Sequence, residues 1–160
     1  MSEPQPLSIE RAYEPTDDLR ALIGELDRTL SANYLPEQRH GLVLDAIFQP
    51  HIRFFLARLA GRAVGCGGVA LFDDFAEVKR MYVTPVARGR GVAQAVLARL
   101  EAETRDAGLR VVRLETGDRQ HAAIGLYERA GFARCAAFGE YATMAPKMIA
   151  SSIFFEKRLA

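Results

Sequence analysis

The sequence has no tryptophan, two cysteines, three histidines and almost no charge imbalance, with 21 Lys and Arg against 20 Asp and Glu for a net charge of +1. Each shortage excludes something. Cys66 and Cys135 are too few for a disulfide framework. Both lie in apolar strand contexts, where thiols are usually inert, so neither is expected as a nucleophile. Cys66, Cys135, His40, His51 and His121 show no metal-ligand spacing, and no metal is expected. Balanced charge leaves no basic stripe, so no nucleic-acid partner is expected. Long apolar runs are missing too. The longest uncharged apolar stretch, residues 63–72, is interrupted by Gly65, Gly67 and Gly68. It falls far short of the roughly 20 residues that span a bilayer. The first residues, MSEPQPLSIERAYE, lack the basic-then-apolar pattern of a signal peptide. The expectation is a soluble cytoplasmic protein with no membrane partner.

What is present is 49% hydrophobic and 26% charged over 160 residues, which suits one globular domain spanning 1–160. Such a chain buries roughly 68–70% of its unfolded surface and needs no metal or disulfide to hold a core. Residues 1–6 read as a disordered lead-in and 7–13 as a strand of mixed face. Thr16 looks like a helix N-cap with Asp17 and Asp18 in the first turn. Leu19, Leu22, Ile23, Leu26 and Leu30 share one helical face, and residues 31–34 break that helix. Pro36 can open a second helix through Leu42, Val43, Ala46 and Ile47, stopped by Pro50.

The middle of the chain reads as three strands, 54–59, 63–72 and 76–83, joined by turns at Ala60-Gly61-Arg62 and Asp73-Asp74. Short turns imply an antiparallel meander. A helix follows, with Ala93, Val96, Leu97 and Leu100 on one face and Gly108 at its end. A strand over 111–115, a helix carrying Ala122, Ala123, Leu126, Tyr127 and Ala130, and strands over 132–138 and 153–157 complete the order βααβββαβαββ. This is a mixed α/β (α+β) domain, with helices covering a largely antiparallel sheet.

The segment richest in chemistry is EVKRMYVTPVARGRGVAQAVL, where a strand ends and a helix begins. Helix N-termini leave N–H groups unpaired and carry partial positive charge. Glycines let that backbone approach a ligand, and Arg88 and Arg90 add charge, so the turn is suited to a pyrophosphate. The alternative is a glycine-containing helix start beside a solvated Arg pair. Lys79 and Arg80 lie in the same junction and add to its positive charge. No G-x-x-x-x-G-K-[ST] string exists. Gly65 to Ala70 matches G-x-G-x-x-A, but the strand continues where a dinucleotide fold needs a helix, so those glycines read as bulge or close-packing positions.

Three features in order resemble the GNAT superfamily of acyl-CoA-dependent N-acetyltransferases. They are the strand Lys79-Arg80-Met81-Tyr82-Val83 followed by Pro85, the turn Arg88-Gly89-Arg90-Gly91-Val92-Ala93, and the segment Ala123-Ile124-Gly125-Leu126-Tyr127-Glu128-Arg129-Ala130-Gly131-Phe132. The resemblance implies a GNAT fold over nearly the whole chain and acetyl-CoA as cosubstrate. By that likeness the backbone of Arg88, Gly89, Arg90, Gly91, Val92 and Ala93 would hold the pyrophosphate. Met81, Tyr82 and Val83 would pair with the pantetheine arm where two strands splay, and an N–H there could polarise the thioester carbonyl. Gln120, with His121 beside it, stands where the family often has Asn, and with Ala123 it would contact cofactor.

Tyr127 resembles the family's general acid and would protonate the departing thiolate. Its alternative is a helix Tyr packed on the sheet with its hydroxyl at the surface. Glu77 is a candidate base, directly or through a water; its alternative is an ion pair with Lys79 or Arg80. Strand parity puts Glu77 with Lys79, Met81 and Val83 on one face unless a bulge shifts the phase. The family's acceptor loops correspond to 30–35 and 137–142, where Asn33, Tyr34, Glu140 and Tyr141 are candidate substrate contacts. The expected activity is acetyl transfer to the amine of a small molecule such as an amino acid, by direct attack. A peptide or protein amine, or a non-catalytic acyl-CoA-binding module, are the other readings. Homodimers are common in the family; the strand Ile153-Phe154-Phe155 could serve as an interface, although core packing is its expected use.

Overall fold

The computed structural model of the chain describes residues 6–160. Residues 1–5 of the expected lead-in lie outside the described residues. Pro6 already touches the sheet, its carbonyl accepting the Ala60 N–H at 2.9 Å.

Strand β1 (Leu7–Ala12) leads into α1 (Asp17–Asn33). Thr16 caps α1 as its sequence implies, Oγ1 accepting the Leu19 N–H at 3.4 Å, with Asp17 and Asp18 against the helix dipole. Leu19, Leu22, Ile23 and Leu26 are buried, each burial stabilising by about 1.5–3 kcal/mol. The meander follows as β2 (Ile52–Leu59), β3 (Arg62–Leu71) and β4 (Ala76–Val83). Then come α2 (Val92–Asp106), β5 (Val111–Gly117), α3 (His121–Arg129), β6 (Ala133–Arg134), a short α4 (Pro146–Ile149) that the sequence did not suggest, and β7 (Ser152–Arg158).

The seven strands form one sheet in the order β1-β2-β3-β4-β5-β7-β6. Every neighbouring pair is antiparallel except β4 with β5. Helices α2 and α3 cover one face, where Val96, Leu97, Leu100 and Tyr127 pack with Phe55, Val78, Val112 and Phe155. Helix α1 covers the other, over Phe54, Leu56, Cys66 and Tyr82. Phe154 and Phe155 are buried within this one chain, which is the core use expected for the last strand.

Two features of β4 position the site. Its pairing with β5 is limited to Ala76 with Val112 and Glu77 with Arg113, after which the strands part. Its register with β3 also slips, from Gly68 opposite Lys79 to Cys66 opposite Tyr82, so Arg80 and Met81 together face Gly67. That is a β-bulge, with Arg80 at φ 56°. Ala76 and Val78 pack under α2, and beyond the bulge so do Met81 and Val83, while Tyr82 packs under α1. Strict alternation over Glu77, Lys79, Met81 and Val83 therefore does not hold, because the extra residue moves Met81 and Val83 to the opposite face.

The expected second helix is not formed. Residues 34–51 make two 3₁₀ turns, Pro36–Gln38 and Leu44–Phe48, joined by extended chain. Gly41 lies mid-segment, where it weakens a helix. It packs so closely on Arg80 that a Cβ there would collide with the guanidinium Nη1. His40 Nε2 lies 2.7 Å from the Met148 carbonyl, a tie outside any helix. The strand expected over 132–138 is likewise cut to β6 plus a Cys135 N–H bond to the Phe154 carbonyl at 2.9 Å. Beyond it Phe138 leaves the sheet to pack edge-on against Phe75, Tyr141 and Phe154.

The glycines of β3 are packing positions, not a phosphate loop. A Cβ on Gly68 would collide with the Phe54 ring, and one on Gly67 with Met81 Sδ. The β2–β3 turn places Ala60 at φ 52° and Gly61 at φ 83°, a geometry that suits Asn-Gly. Ala60→Asn should therefore raise stability by roughly 0.5–1 kcal/mol, since a non-glycine residue without a local polar group is disfavoured there. Gly68→Ala should lower stability by about 1–3 kcal/mol through overpacking. Urea unfolding midpoints of the two variants, expected to move in opposite directions, check both.

Candidate active site

The turn between β4 and α2 is built from two left-handed glycines, Gly89 at φ 79° and Gly91 at φ 77°, the second being the helix cap. No side chain caps α2, and its first return bond runs from the Ala95 N–H to the Gly91 carbonyl at 3.0 Å. The N–H groups of Val92, Ala93 and Gln94 precede that bond and lie at the positive end of the dipole. Open space surrounds Gly89 on its side-chain side. Arg88 folds back, Nε donating to the Val83 carbonyl at 3.3 Å.

This turn forms one wall of a cleft of about 610 Å³. All the expected cofactor-binding residues line it except Arg90, which is exposed on the same turn. Helix α3 supplies the opposite wall, with Gln120, Ala123 and Tyr127. A second pocket of about 120 Å³ lies where β4 and β5 have separated. The two share Leu26, Met81, Gln120, Ala123 and Tyr127, so a large cleft opens into a small pocket at the Tyr127 ring.

Of the candidate substrate contacts, Tyr34 and Tyr141 are buried and line the small pocket. Asn33 and Glu140 are exposed and line neither space. The Asn33 carbonyl instead accepts from Arg119 Nη1 at 3.2 Å. Tyr34 pins the end of α1 to the loop after β5, its hydroxyl accepting the Arg119 N–H at 2.7 Å. Gly117 is required beneath it, because a Cβ would collide with the Tyr34 ring.

Glu77 is buried in a closed triangle. Its Oε2 accepts from the Tyr141 hydroxyl at 2.7 Å and pairs with Lys79 Nζ at 2.8 Å, while Nζ also donates to the Tyr141 oxygen at 3.0 Å. The ion-pair reading of Glu77 is thus realised with Lys79. Arg80 pairs with Asp27 of α1. Lys79 and the Nη2 of Arg80 therefore hold carboxylates, and only Arg88 of the expected basic cluster lines the large cleft. The bulge explains the correction, since it turns Arg80 toward α1.

Tyr127 is 5% exposed and packs against Phe132 and Phe155. Burial raises its phenol well above the ordinary value, and the charge of Glu115 adds to the rise. It is a protonated donor at any working pH. Glu115, on β5, lines the same small pocket and holds a single hydrogen-bond donor, the Ser152 hydroxyl at 2.6 Å. Loss of water raises its carboxyl above the usual range, opposed by the Ser152 bond and by the charges of His40 and Lys79. Cys66 is fully buried, and burial pushes its thiol up to about 12, so it is no nucleophile. Among the described residues no cluster of His, Cys, Asp and Glu could hold a metal ion, and no helix is long and apolar enough to cross a membrane.

The Acetyltransferase (GNAT) family matches residues 19–132, from α1 through the α3 segment. The chain belongs to the GNAT acetyltransferase family. A relative from Azospirillum brasilense named IAA acetyltransferase is 42% identical over 155 residues, covering 96% of this chain and 98% of its own length. A Klebsiella pneumoniae structure described as an acyl-CoA N-acyltransferase is 36% identical with TM-score 0.76, covering 96% of this chain and 98% of that one. A GNAT family acetyltransferase from Elizabethkingia anophelis, solved with acetyl-CoA bound, shares the fold at 16% identity and TM-score 0.69, covering 96% and 98%. The chain is accordingly an acetyl-CoA-dependent acyltransferase with a GNAT fold.

Among the pocket residues that escaped the sequence reading are Glu115, Arg39 and His40. Glu115 was legible only as one polar residue of an alternating strand. Arg39 and His40 fell in the segment read as a helix. Glu115 gives a test of the electrostatics. A carboxyl raised in the folded state is stabilising when protonated, and that contribution is lost as pH rises through its folded value. Glu115→Gln should therefore gain stability relative to the parent between pH 5 and pH 8, read as urea midpoints at both. A gap that does not widen with pH contradicts the raised carboxyl.

Proposed function

We propose that the protein acetylates the amine of a small molecule, which reacts directly with acetyl-CoA, without a covalent acyl-enzyme. The observation that carries this reading is the meeting of cleft and pocket at Met81, Gln120, Ala123 and Tyr127. The residues fit acetyl-CoA. The glycine turn and the open N-terminus of α2 suit a pyrophosphate, and the parted edge of β4 at Met81, Tyr82 and Val83 suits an amide-bearing arm. Gln120 and Ala123 face that arm from α3. When bound, acetyl-CoA supplies the activated acetyl group.

The chain's own groups manage two protons. An alkyl ammonium has a pKa of about 10, so near pH 7 only about one in a thousand carries a free lone pair. A carboxylate in the small pocket takes that proton. Glu77 and Glu115 both line it, but Glu77 Oε2 already holds Lys79 and Tyr141, whereas Glu115 holds only Ser152. Glu115 is the base in this reading, with Glu77 positioning Tyr141 and Lys79. The nitrogen lone pair forms the new C–N bond, the C–S bond breaks, and its electron pair leaves on sulfur. Tyr127 gives that sulfur a proton, and the second proton that the nitrogen sheds as it becomes an amide restores the phenol. Burial that raises the phenol also disfavours a bare thiolate in the same space, so the two remain matched. The bulge at Arg80 takes one β4 residue out of the ladder, freeing main chain near Met81 to polarise the carbonyl. Free Cys66 and Cys135 suit a reducing cytoplasm.

Free-thiol release from acetyl-CoA with an amine panel tests this. Tyr127→Phe and Glu115→Gln should each lower kcat by about 10²-fold or more, with CoA affinity unchanged. Glu115→Gln should also remove the acid limb of kcat/KM, a limb that lies above the ordinary carboxylate range in the parent. Retention of that limb in Glu115→Gln and its loss in Glu77→Gln returns the base role to Glu77. CoA binding without turnover on any amine favours a binding module, and turnover on peptides alone favours a protein acceptor.

A further inference from the structure

Two guanidiniums in the small pocket are incompletely used. Arg39 comes from the extended segment between the 3₁₀ turns, and Arg80 from the bulge in β4. Both line the pocket, and the Nε of each is sealed from solvent without a hydrogen-bond partner. The Arg80 side chain is only 5% exposed, and its Nη2 is held by Asp27. Leaving a buried donor unmatched costs about 1–3 kcal/mol, more when the group is charged. Arg80 also sits at φ 56°, and Gly41 forgoes a side chain beside its Nη1. The chain accepts strain and unmet donors to keep these groups in the pocket.

The pocket is otherwise arranged by sign. Its negative groups, Glu77 and Glu115, come from the central strands β4 and β5. Its other strong cation, Lys79, is matched by Glu77 and Tyr141. The pocket therefore presents two guanidinium groups on one side and a carboxylate near Tyr127 on the other. Guanidinium recognises planar carboxylates in particular, through paired N–H donors.

We infer that the acceptor is a free amino acid, its carboxylate held by Arg39 and Arg80 and its amino group directed to Glu115 and Tyr127. This rests on the amine-acetylation reading above and narrows its substrate class. The carboxylate offers the two pocket-lining guanidinium groups a planar partner of opposite charge, and it orients the nitrogen toward the cleft. An amide or a decarboxylated amine offers the guanidinium groups no such partner.

The test is thiol release from acetyl-CoA with matched sets: glutamate, leucine and glycine, the three amino amides, and the amines that lack the carboxyl. At least one acid should exceed its amide and its amine at least 10-fold in kcat/KM, chiefly through KM. Arg39→Gln should abolish that preference while leaving CoA affinity, measured by calorimetry, unchanged. Arg80→Lys, which keeps a charge for Asp27 but lacks the fork, should weaken it in a folded protein, checked by circular dichroism. Acids, amides and amines used equally, or a preference unaltered in Arg39→Gln, overturn the inference and leave amine acetylation standing. No thiol release from any member, with CoA still bound, overturns both readings.

Discussion

One bulge in β4 organises the molecule. Up to Val78 the strand is ordinary sheet, with Val78 under α2 and Glu77 on the opposite side. Past Arg80 the phase has slipped by one residue, and Met81 and Val83 lie under α2. The same stretch loses its pairing with β5, so two strands that begin as neighbours end apart. Separation alone would expose an edge and a hole. Here the hole is bounded by α1, α3 and the 34–51 segment, and it becomes the pocket. The glycines of β3 belong to this constraint: Gly67 lies opposite the bulge and leaves room for Met81 Sδ. A residue such as Arg80 at positive φ costs about 1–3 kcal/mol, and the surrounding packing must hold it there.

That holding is visible. Arg80 reaches Asp27, and the Tyr82 hydroxyl donates to Glu25 Oε2 at 2.9 Å, so two residues of the bulged strand, on either side of Met81, grip α1. Tyr34 ties the far end of α1 to the Arg119 N–H. His40 ties the irregular segment to the Met148 carbonyl and meets the Tyr141 ring edge-on at 5.7 Å. These are polar links between elements distant in sequence, and they converge on the walls of one pocket. Each hydrogen bond adds only about 0.5–1.5 kcal/mol net, so their weight lies in fixing positions.

The readable parts of the sequence were those in which local chemistry decides structure. Thr16 with Asp17 and Asp18 announces a helix start, and the Leu19–Leu26 periodicity announces its buried face; both are realised. The turn at Ala60-Gly61 and the alternating strands gave the meander, and the ordered strand, glycine turn and Tyr segment gave the family. What stayed hidden depended on partners far along the chain. Gly41 packs against the guanidinium of Arg80, 39 residues further along the chain. The strand expected through Phe138 is shortened because that ring finds Phe75 and Phe154. The pooling of Lys79 and Arg80 with Arg88 failed because Lys79 meets Glu77 on its own strand face and a bulge, invisible to strand parity, turns Arg80 to Asp27.

The near-zero net charge takes on a different meaning at this scale. The balance is not a uniform surface mixture: opposite charges meet at short range, Lys79 on Glu77 in the interior and the buried Arg80 side chain on exposed Asp27 at its edge. Buried pairs of this kind add little stability after desolvation, so their value lies in specifying geometry. Among the groups left outside the pairing are Glu115, held by one serine hydroxyl, and the Nε donors of Arg39 and Arg80. In a domain of net stability about 5–15 kcal/mol, such groups persist only where the core can carry them. These three groups line one small pocket beside Tyr127, whereas the other unmatched buried side-chain atoms among the described residues, Arg11 Nε, Thr84 Oγ1 and Ser151 Oγ, belong to residues outside its lining.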